Sequence, residues 1–207
     1  MAKCKENASI YEDLEKCPGQ KKLPGIRDMV YGIPKRDIVN YPSIPDAPAN
    51  LKEAVSYKGD FTPAADKYFH KVGIVKDNGQ LQVESQGVDG CKTFKNTLHF
   101  GIPGTEEEAS GYIDRANNDE MIYIFFQRNG KARVIGSEDF TPELALKQDT
   151  GKTATDSNVT SVEAVCTDLH PAPFYVGKIH TKDGDIDGAT GKMLASVSNT
   201  PSSGGGH

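Results

Sequence analysis

The fold of this chain is decided by residues 121–137, which read MIYIFFQRNGKARVIGS. Two runs rich in β-branched and aromatic residues meet there across Asn129 and Gly130. An Asn-Gly pair between such runs is the strongest short-range signal for a β-hairpin, because the tight turn needs positive φ at its central residues. The stretch therefore predicts an antiparallel hairpin formed by residues 121–127 and 131–136.

A second hairpin is predicted upstream, where residues 69–76 and 80–85 flank the turn sequence DNG at 77–79. Apolar and polar residues alternate in these runs, and successive side chains of a strand point to opposite faces. One face is therefore expected in a core and the other in water. The inward set is Val72, Ile74, Leu81 and Val83, and the outward set is Gln80, Gln82 and Glu84.

One helix is predicted at about residues 105–117. Thr105 is a good N-cap, Glu108 completes a capping box, and apolar residues recur at helical spacing from Ala109. Further strands are predicted at residues 93–100, 159–167 and 174–181, and a brief helix at 141–147. The body, residues 64–182, is thus predicted to be mainly β, a β-sandwich or barrel with one packed α-helix.

The two ends of the chain have a different composition. Residues 1–63 hold seven of the twelve prolines, and proline interrupts both helices and central strands. The sequence therefore predicts an extended, Pro-rich N-terminal arm that contains short helices only. Its apolar residues, such as Ile33 and Tyr41, must lie against the chain's own body or a neighbouring copy. Residues 183–207 are rich in Gly and Ser and are predicted to be a flexible tail.

The net charge of the chain also changes sign at the boundary between residues 63 and 64. Residues 1–63 carry a net charge of +1, and residues 64–207 carry −6. The basic side chains of the arm cluster at Lys16, Lys21, Lys22, Arg27, Lys35 and Arg36. This cluster is either a solvated basic loop or a surface that docks on the acidic body of a neighbouring copy, since opposite charges steer association. The acidic body itself repels nucleic acid.

Composition bounds the class of protein. The chain has 207 residues and a mean hydropathy of −0.53, which is typical of a polar, soluble protein. It has no run of ~20 apolar residues and no apolar export signal at its start, so we expect a protein folded in a cytoplasm. The four cysteines have no CxxC spacing, and free thiols are expected in that compartment.

The motifs of enzymes and ligand sites are incomplete. The sequence GKT at 151–153 ends a phosphate-binding loop, but position 146 holds Leu146 where that loop needs Gly. A calcium-type loop begins with Asp183, Asp185 and Asp187, but its twelfth position is Leu194 rather than Glu. The sequence therefore predicts no catalytic residue and no cofactor, and the three aspartates are the single metal candidate.

The histidines give no stronger indication of a catalytic or metal site. Four of them lie in or beside different predicted strands: His70, His99, His170 and His180. No HxH or HxxxH spacing places two of them on one face, although strand residues can still converge in space. We expect hydrogen-bonded structural histidines and a protein that is not an enzyme.

The order of elements resembles that of bacteriophage tail tube proteins and related virion structural proteins, particularly those of phages and prophages of Bacteroidetes-type gut bacteria. The resemblance covers about residues 57–179 and includes GIPGTEEEASGYIDRANND before and within the helix and VTSVEAVCTDLHPAPFYVGKI in the last strands. The phrases FFQRNGKARVIGS and PAPFYVGKI are most similar to that group. The resemblance implies hexameric rings that stack into a conduit for DNA, with β-hairpins of neighbouring subunits joined into one inner barrel.

This resemblance gives the predicted residues their expected roles in a virion tail assembled in the host cytoplasm. Gln80, Gln82 and Glu84 would face the bore, through which double-stranded DNA passes without specific binding, while Val72 and Ile74 face protein. The basic residues Lys21, Lys22, Arg27, Lys35 and Arg36 would contact the adjoining subunit. A neck, tail terminator or baseplate protein and a monomeric β-sandwich binding module for glycan or protein remain as alternatives. A hydrolase or metal enzyme is a third class, which no residue spacing favours.

Overall fold

The computed structural model describes residues 10–194 and is mainly β. The strands are β1 (Ile26–Pro34), β2 (Ile38–Asn40), β3 (Thr62–Pro63), β4 (His70–Gly73), β5 (Gly79–Gln86), β6 (Thr93–Pro103), β7 (Met121–Gln127), β8 (Ala132–Ile135), β9 (Glu143–Asp149), β10 (Val159–Asp168), β11 (Phe174–Tyr175), β12 (Lys178–Thr181) and β13 (Gly184–Asp187). One α-helix, α1 (Glu107–Ala116), and two 3₁₀ turns, Lys35–Asp37 and Glu53–Val55, complete the elements. No helix of this part of the chain is both long and apolar enough to cross a bilayer.

Two antiparallel sheets pack face to face. The larger has the strand order β11-β8-β7-β1-β4, and the smaller has the order β5-β6-β10-β9. Apolar side chains from both sheets, such as Phe125 of β7 and Leu98 of β6, meet in the core between them. Ala116 of α1 joins the same core. The predicted β-sandwich with one packed helix is confirmed.

A second core covers the outer face of the larger sheet. Phe61, Phe69 and Tyr175 pack there against side chains of β1, β7 and β8. Strand β7 is therefore buried on both faces, with Tyr123 and Phe125 on one side and Ile124 on the other. Burial on both faces explains why its sequence is a continuous apolar run rather than an alternating one.

The hairpin predicted at residues 121–136 is present. Strand β7 pairs with β8 from Tyr123 opposite Ile135 to Phe126 opposite Ala132. Gly130 in the turn has φ +89°, a left-handed conformation that glycine adopts without a Cβ clash.

The hairpin predicted at residues 69–85 is wrong. Strand β4 pairs with β1 in the larger sheet, and β5 pairs with β6 in the smaller one. Between β4 and β5 the chain passes from the larger sheet to the smaller one. Val72 of β4 and Leu81 of β5 therefore point into the core from opposite sheets. An alternating pattern only requires that one face of each strand be buried. Two strands in facing sheets bury that face as well as the two strands of a hairpin do.

The brief helix predicted at residues 141–147 is also wrong, because this segment forms β9, which pairs with β10. Half-buried Leu144 and Leu146 alternate with exposed neighbours, which is the period of a strand. The helix α1 is confirmed, but the capping box is not: its N-cap is Glu106 without a side-chain cap bond.

The predicted N-terminal arm is corrected from residue 26 onward. Strand β1 lies inside the larger sheet, paired with both β7 and β4, and Pro34 is its last residue. The pairing with β4 ends at Gly32, so β1 is paired on one side only at Pro34, and proline is tolerated at such an edge position. Residues 38–69 contribute the buried side chains of Ile38, Tyr57, Phe61 and Phe69 to the second core. Residues 10–25, which we call the N-terminal segment, contain neither helix nor strand.

The predicted flexible tail is corrected in its first part. Strand β13 pairs with β12, and Ile186 is buried in the second core. Residues 183–194 therefore belong to the body, because an apolar side chain in this hairpin completes the cover of the larger sheet. The rest of the predicted tail, residues 195–207, lies outside the described residues.

Candidate assembly edges and polar sheet face

The smaller sheet has two long edges. Strand β5 has eight residues and pairs only with β6, and β9 has seven and pairs only with β10 within residues 10–194. Each edge thus presents a row of backbone N–H and C=O groups without a strand partner. Neither strand contains proline, a residue that commonly blocks edge pairing.

The larger sheet has short edges. Its edge strands β11 and β4 have two and four residues. Very short edge strands offer few backbone groups to another chain. The capacity to pair with a second chain is therefore concentrated on the two sides of the smaller sheet.

The outer face of the smaller sheet is polar and open to solvent. In the order β5, β6, β10 and β9, Gln80 lies opposite His99, His99 opposite Glu163, and Glu163 opposite Ala145. The side chains of these paired residues therefore lie on the same face of the sheet. The charged side chains on this face are Glu84, Lys95, Glu143, Lys147, Asp149 and Glu163. His99 Nδ1 lies 3.8 Å from Glu163 Oε2 at its centre. Four carboxylates and two ammonium groups make the face slightly acidic.

The residues predicted to line a bore lie on this face. Gln80, Gln82 and Glu84 are exposed on β5, while Leu81 and Val83 are half-buried toward the core. The alternation read from the sequence is therefore confirmed. Val72 and Ile74 are buried in the core between the sheets, as the inward set requires.

Three of the five basic residues predicted to contact an adjoining subunit contact their own chain. Arg36 Nη1 lies 2.6 Å from Asp119 Oδ1, and Lys35 Nζ lies 3.6 Å from Glu120 Oε2. The Arg27 guanidinium lies 5.5 Å from the centre of the Phe126 ring. These contacts follow from the position of β1 beside β7, which the predicted arm did not foresee.

The remaining basic residues, Lys21 and Lys22, lie in the exposed N-terminal segment. This segment also carries the exposed apolar side chains Tyr11, Leu14 and Leu23. It leaves the body at β1, where the backbone N–H of Arg128 donates to the carbonyl of Gly25.

The three aspartates of the metal candidate have separate partners. Asp183 Oδ2 lies 2.6 Å from Lys71 Nζ, and this hydrogen bond lowers the pKa of the carboxyl group. Asp185 Oδ1 lies 2.8 Å from His180 Nδ1, and Asp187 accepts hydrogen bonds within its own turn. In the described part of the chain no three potential ligands converge on one point.

Two ionisable side chains are removed from solvent: Cys166 of β10 is buried in the core between the two sheets, and Arg133 of β8 is half-buried. Burial raises the pKa of the Cys166 thiol to about 12, which keeps it protonated and unreactive at neutral pH. Burial also lowers the pKa of Arg133 to about 10, and its guanidinium lies 4.3 Å from the centre of the Phe174 ring. Its Nε donates a hydrogen bond to the Ala172 carbonyl, so Arg133 holds the segment before β11 in place.

Comparison of the chain with protein-family models, with curated proteins and with solved structures found no match. The features of this chain that bear on its function are therefore the geometry of the sheet edges and of the polar face. Sequence reasoning missed the second edge, β9, because Thr141 and Pro142 favour the start of a helix over residues 141–147. The alternation of Leu144 and Leu146 was the signal that could have found it.

Proposed function

We propose that this chain is a virion structural protein of a bacteriophage, a tail tube subunit whose copies join through the smaller sheet into rings around a DNA conduit. The observation that carries the proposal is the pair of long open edges, β5 and β9, on opposite sides of one sheet. Two different edges allow each copy to pair its β5 with the β9 of the next. Such a head-to-tail contact gives a closed ring when the rotations between successive copies add up to a full turn.

The dimensions of the sheet support a ring of this kind. The two edges have nearly equal lengths, eight and seven residues, so their ladders can match along most of their length. Six four-stranded sheets at about 4.8 Å per strand give a circumference of roughly 115 Å and a backbone diameter of roughly 37 Å. After side chains are subtracted, this opening is wider than a nucleic-acid duplex.

The surface chemistry supports the sheet's outer face as the lining. The face is polar and slightly acidic, so it repels a polyanion and allows it to slide without binding. The outer face of the larger sheet is covered by the second core. Of the two outer faces, the polar one is therefore free to surround a passing duplex.

The test uses two adjacent proline variants, Glu84→Pro and Ser85→Pro, because both side chains on β5 are exposed. Adjacent N–H groups of an edge strand point in opposite directions, one to the partner strand and one to the open side. One variant should break the ladder to β6 and lower the melting temperature. The other should keep the melting temperature and abolish ring formation in negative-stain micrographs.

The outcomes separate the candidate functions. Wild-type rings or tubes that disappear in the variant with unchanged melting temperature support the proposal. Rings that do not stack favour a neck, terminator or baseplate protein. Wild-type particles that remain monomeric by light scattering at high concentration contradict assembly and favour a binding module.

A further inference from the structure

A groove of about 400 Å³ lies on the body between the 3₁₀ turn Glu53–Val55 and the end of β11. Its walls are mainly apolar and include Val55, Phe174 and Val176. Val176 is 55% exposed, so the groove is open to solvent. It lies away from the two long edges of the smaller sheet, because its strands, β8 and β11, belong to the larger one.

Two lysines line this apolar groove. Lys52 and Lys131 are both exposed, and Lys131 Nζ lies 5.8 Å from the centre of the Phe174 ring. Neither ammonium group has a carboxylate partner within 4.0 Å among the described residues, whereas nearby Lys58 is paired with Glu53. The groove therefore favours a ligand that combines apolar side chains with negative charge.

The same chain carries a segment of this composition at residues 10–15, which read IYEDLE. Tyr11 and Leu14 are 90% and 87% exposed, and Glu12, Asp13 and Glu15 supply three carboxylates. Large apolar side chains that lie in solvent in an isolated molecule indicate an interaction site. The apolar side chains match the walls of the groove, and the carboxylates match its two lysines.

The isolated chain does not bring this segment into its own groove, although the two are connected nearby. The N-terminal segment leaves the body at Ile26, which lies opposite Gln127 beside the turn that leads to Lys131. Fifteen extended residues span up to about 50 Å, which is enough to reach a neighbouring subunit. A second copy is thus the occupant that the exposure, the composition and the reach of the segment indicate.

We propose that residues 10–15 of one copy dock in the groove between Glu53–Val55 and β11 of a second copy. This inference rests on the proposed self-assembly but uses neither β5 nor β9. The docked segment adds a link between subunits that is independent of the sheet ladders. The carboxylates pair with Lys52 and Lys131, while Tyr11 and Leu14 cover the apolar walls.

A disulfide trap tests the docking in the full-length chain. Two variants of the chain are prepared, an arm donor that supplies the N-terminal segment and a groove donor that supplies the groove. The arm donor keeps the exposed Cys17, two residues beyond Glu15, and carries Cys4→Ser and Cys91→Ser. The groove donor carries Cys4→Ser, Cys17→Ser, Cys91→Ser and Val176→Cys. The control groove donor replaces Val176→Cys with Val88→Cys, a site 72% exposed in the turn after β5. The two populations are mixed under mild oxidation and the linked product is measured on non-reducing gels.

We expect at least tenfold more linked product with Val176→Cys than with Val88→Cys. Adding Tyr11→Ser and Leu14→Ser to the arm donor should remove this excess without changing the melting temperature, because both side chains are exposed. A charge exchange provides a second readout. Lys52→Glu with Lys131→Glu should reduce the product, and Glu12→Lys with Asp13→Lys on the arm donor should restore it.

Equal linkage at positions 176 and 88 would overturn the inference. Rings in micrographs without the selective linkage would mean that the docking is wrong and the proposed function stands. Selective linkage between copies that form no rings would support the docking and contradict the ring. Absence of both would overturn both.

Discussion

Asp168, the last residue of β10, is a buried carboxyl group. Its Oδ1 accepts a hydrogen bond from the backbone N–H of His170 over 2.9 Å. Burial raises the pKa of this carboxyl group, and the backbone hydrogen bonds oppose the shift only in part. A raised pKa in the folded state means that protonated Asp168 contributes stability below its unfolded pKa. That contribution is lost as the pH rises through the folded pKa.

We therefore expect Asp168→Asn to raise the free energy of unfolding at neutral pH. The amide oxygen can still accept from His170, and the cost of burying a charge disappears. The stability lost between about pH 4, near the usual pKa of Asp, and neutrality should also become smaller. Urea unfolding at several pH values measures both effects. Exposed Asp139→Asn is the control, and an equal response of the two variants would show that burial is not the cause.

At the scale of the elements, two glycines have opposite requirements. Gly130 lies in the turn between β7 and β8 with φ +89°, and an added Cβ would lie 2.9 Å from Nη2 of Arg27. Gly111 lies in α1, and an added Cβ there would meet nothing within 4 Å. The turn needs the conformational freedom of glycine, whereas the helix loses stability through it.

Gly130→Ala should lower the free energy of unfolding by about 1 kcal/mol or more, because alanine is strained at positive φ. Gly111→Ala should raise it by about 0.5–1 kcal/mol, because alanine favours the helix. Chemical denaturation of the two variants beside the wild type measures the difference. A loss of stability in Gly111→Ala would contradict the position of this residue on an open helix face.

At the scale of the whole molecule, the polar face of the smaller sheet becomes the inner surface of the proposed ring. Glu84 and Gln82 on β5 are exposed on that face. Their side chains do not enter the core, so charge can be changed there while the sandwich and its edges remain. This separation allows the lining to be tested apart from the assembly.

Gln82→Lys with Glu84→Lys should leave assembly intact and make the assembled particles retain double-stranded DNA. Lysines in the lining attract phosphates, so retention should decrease steeply as the salt concentration rises. Val39→Lys with Glu138→Lys, at exposed positions outside the smaller sheet, changes the net charge equally and is the control. Electrophoretic mobility of labelled duplex DNA measures retention. Equal retention by the two variants would contradict the assignment of the lining.

Local sequence determined the elements whose signals lie within a few residues. The turn at Gly130, the helix α1 and the alternation of β5 all depend on backbone preferences and on which side chains avoid water, and these are properties of short stretches. The tertiary structure alone decided that β4 and β5 lie in different sheets and that β1 is an interior strand. An apolar face can be buried by a hairpin partner or by a facing sheet with similar gain, and only the packing of the whole chain selects between them. The same packing left β5 and β9 as the two open edges of the smaller sheet. No single stretch of sequence indicates which strands become these edges.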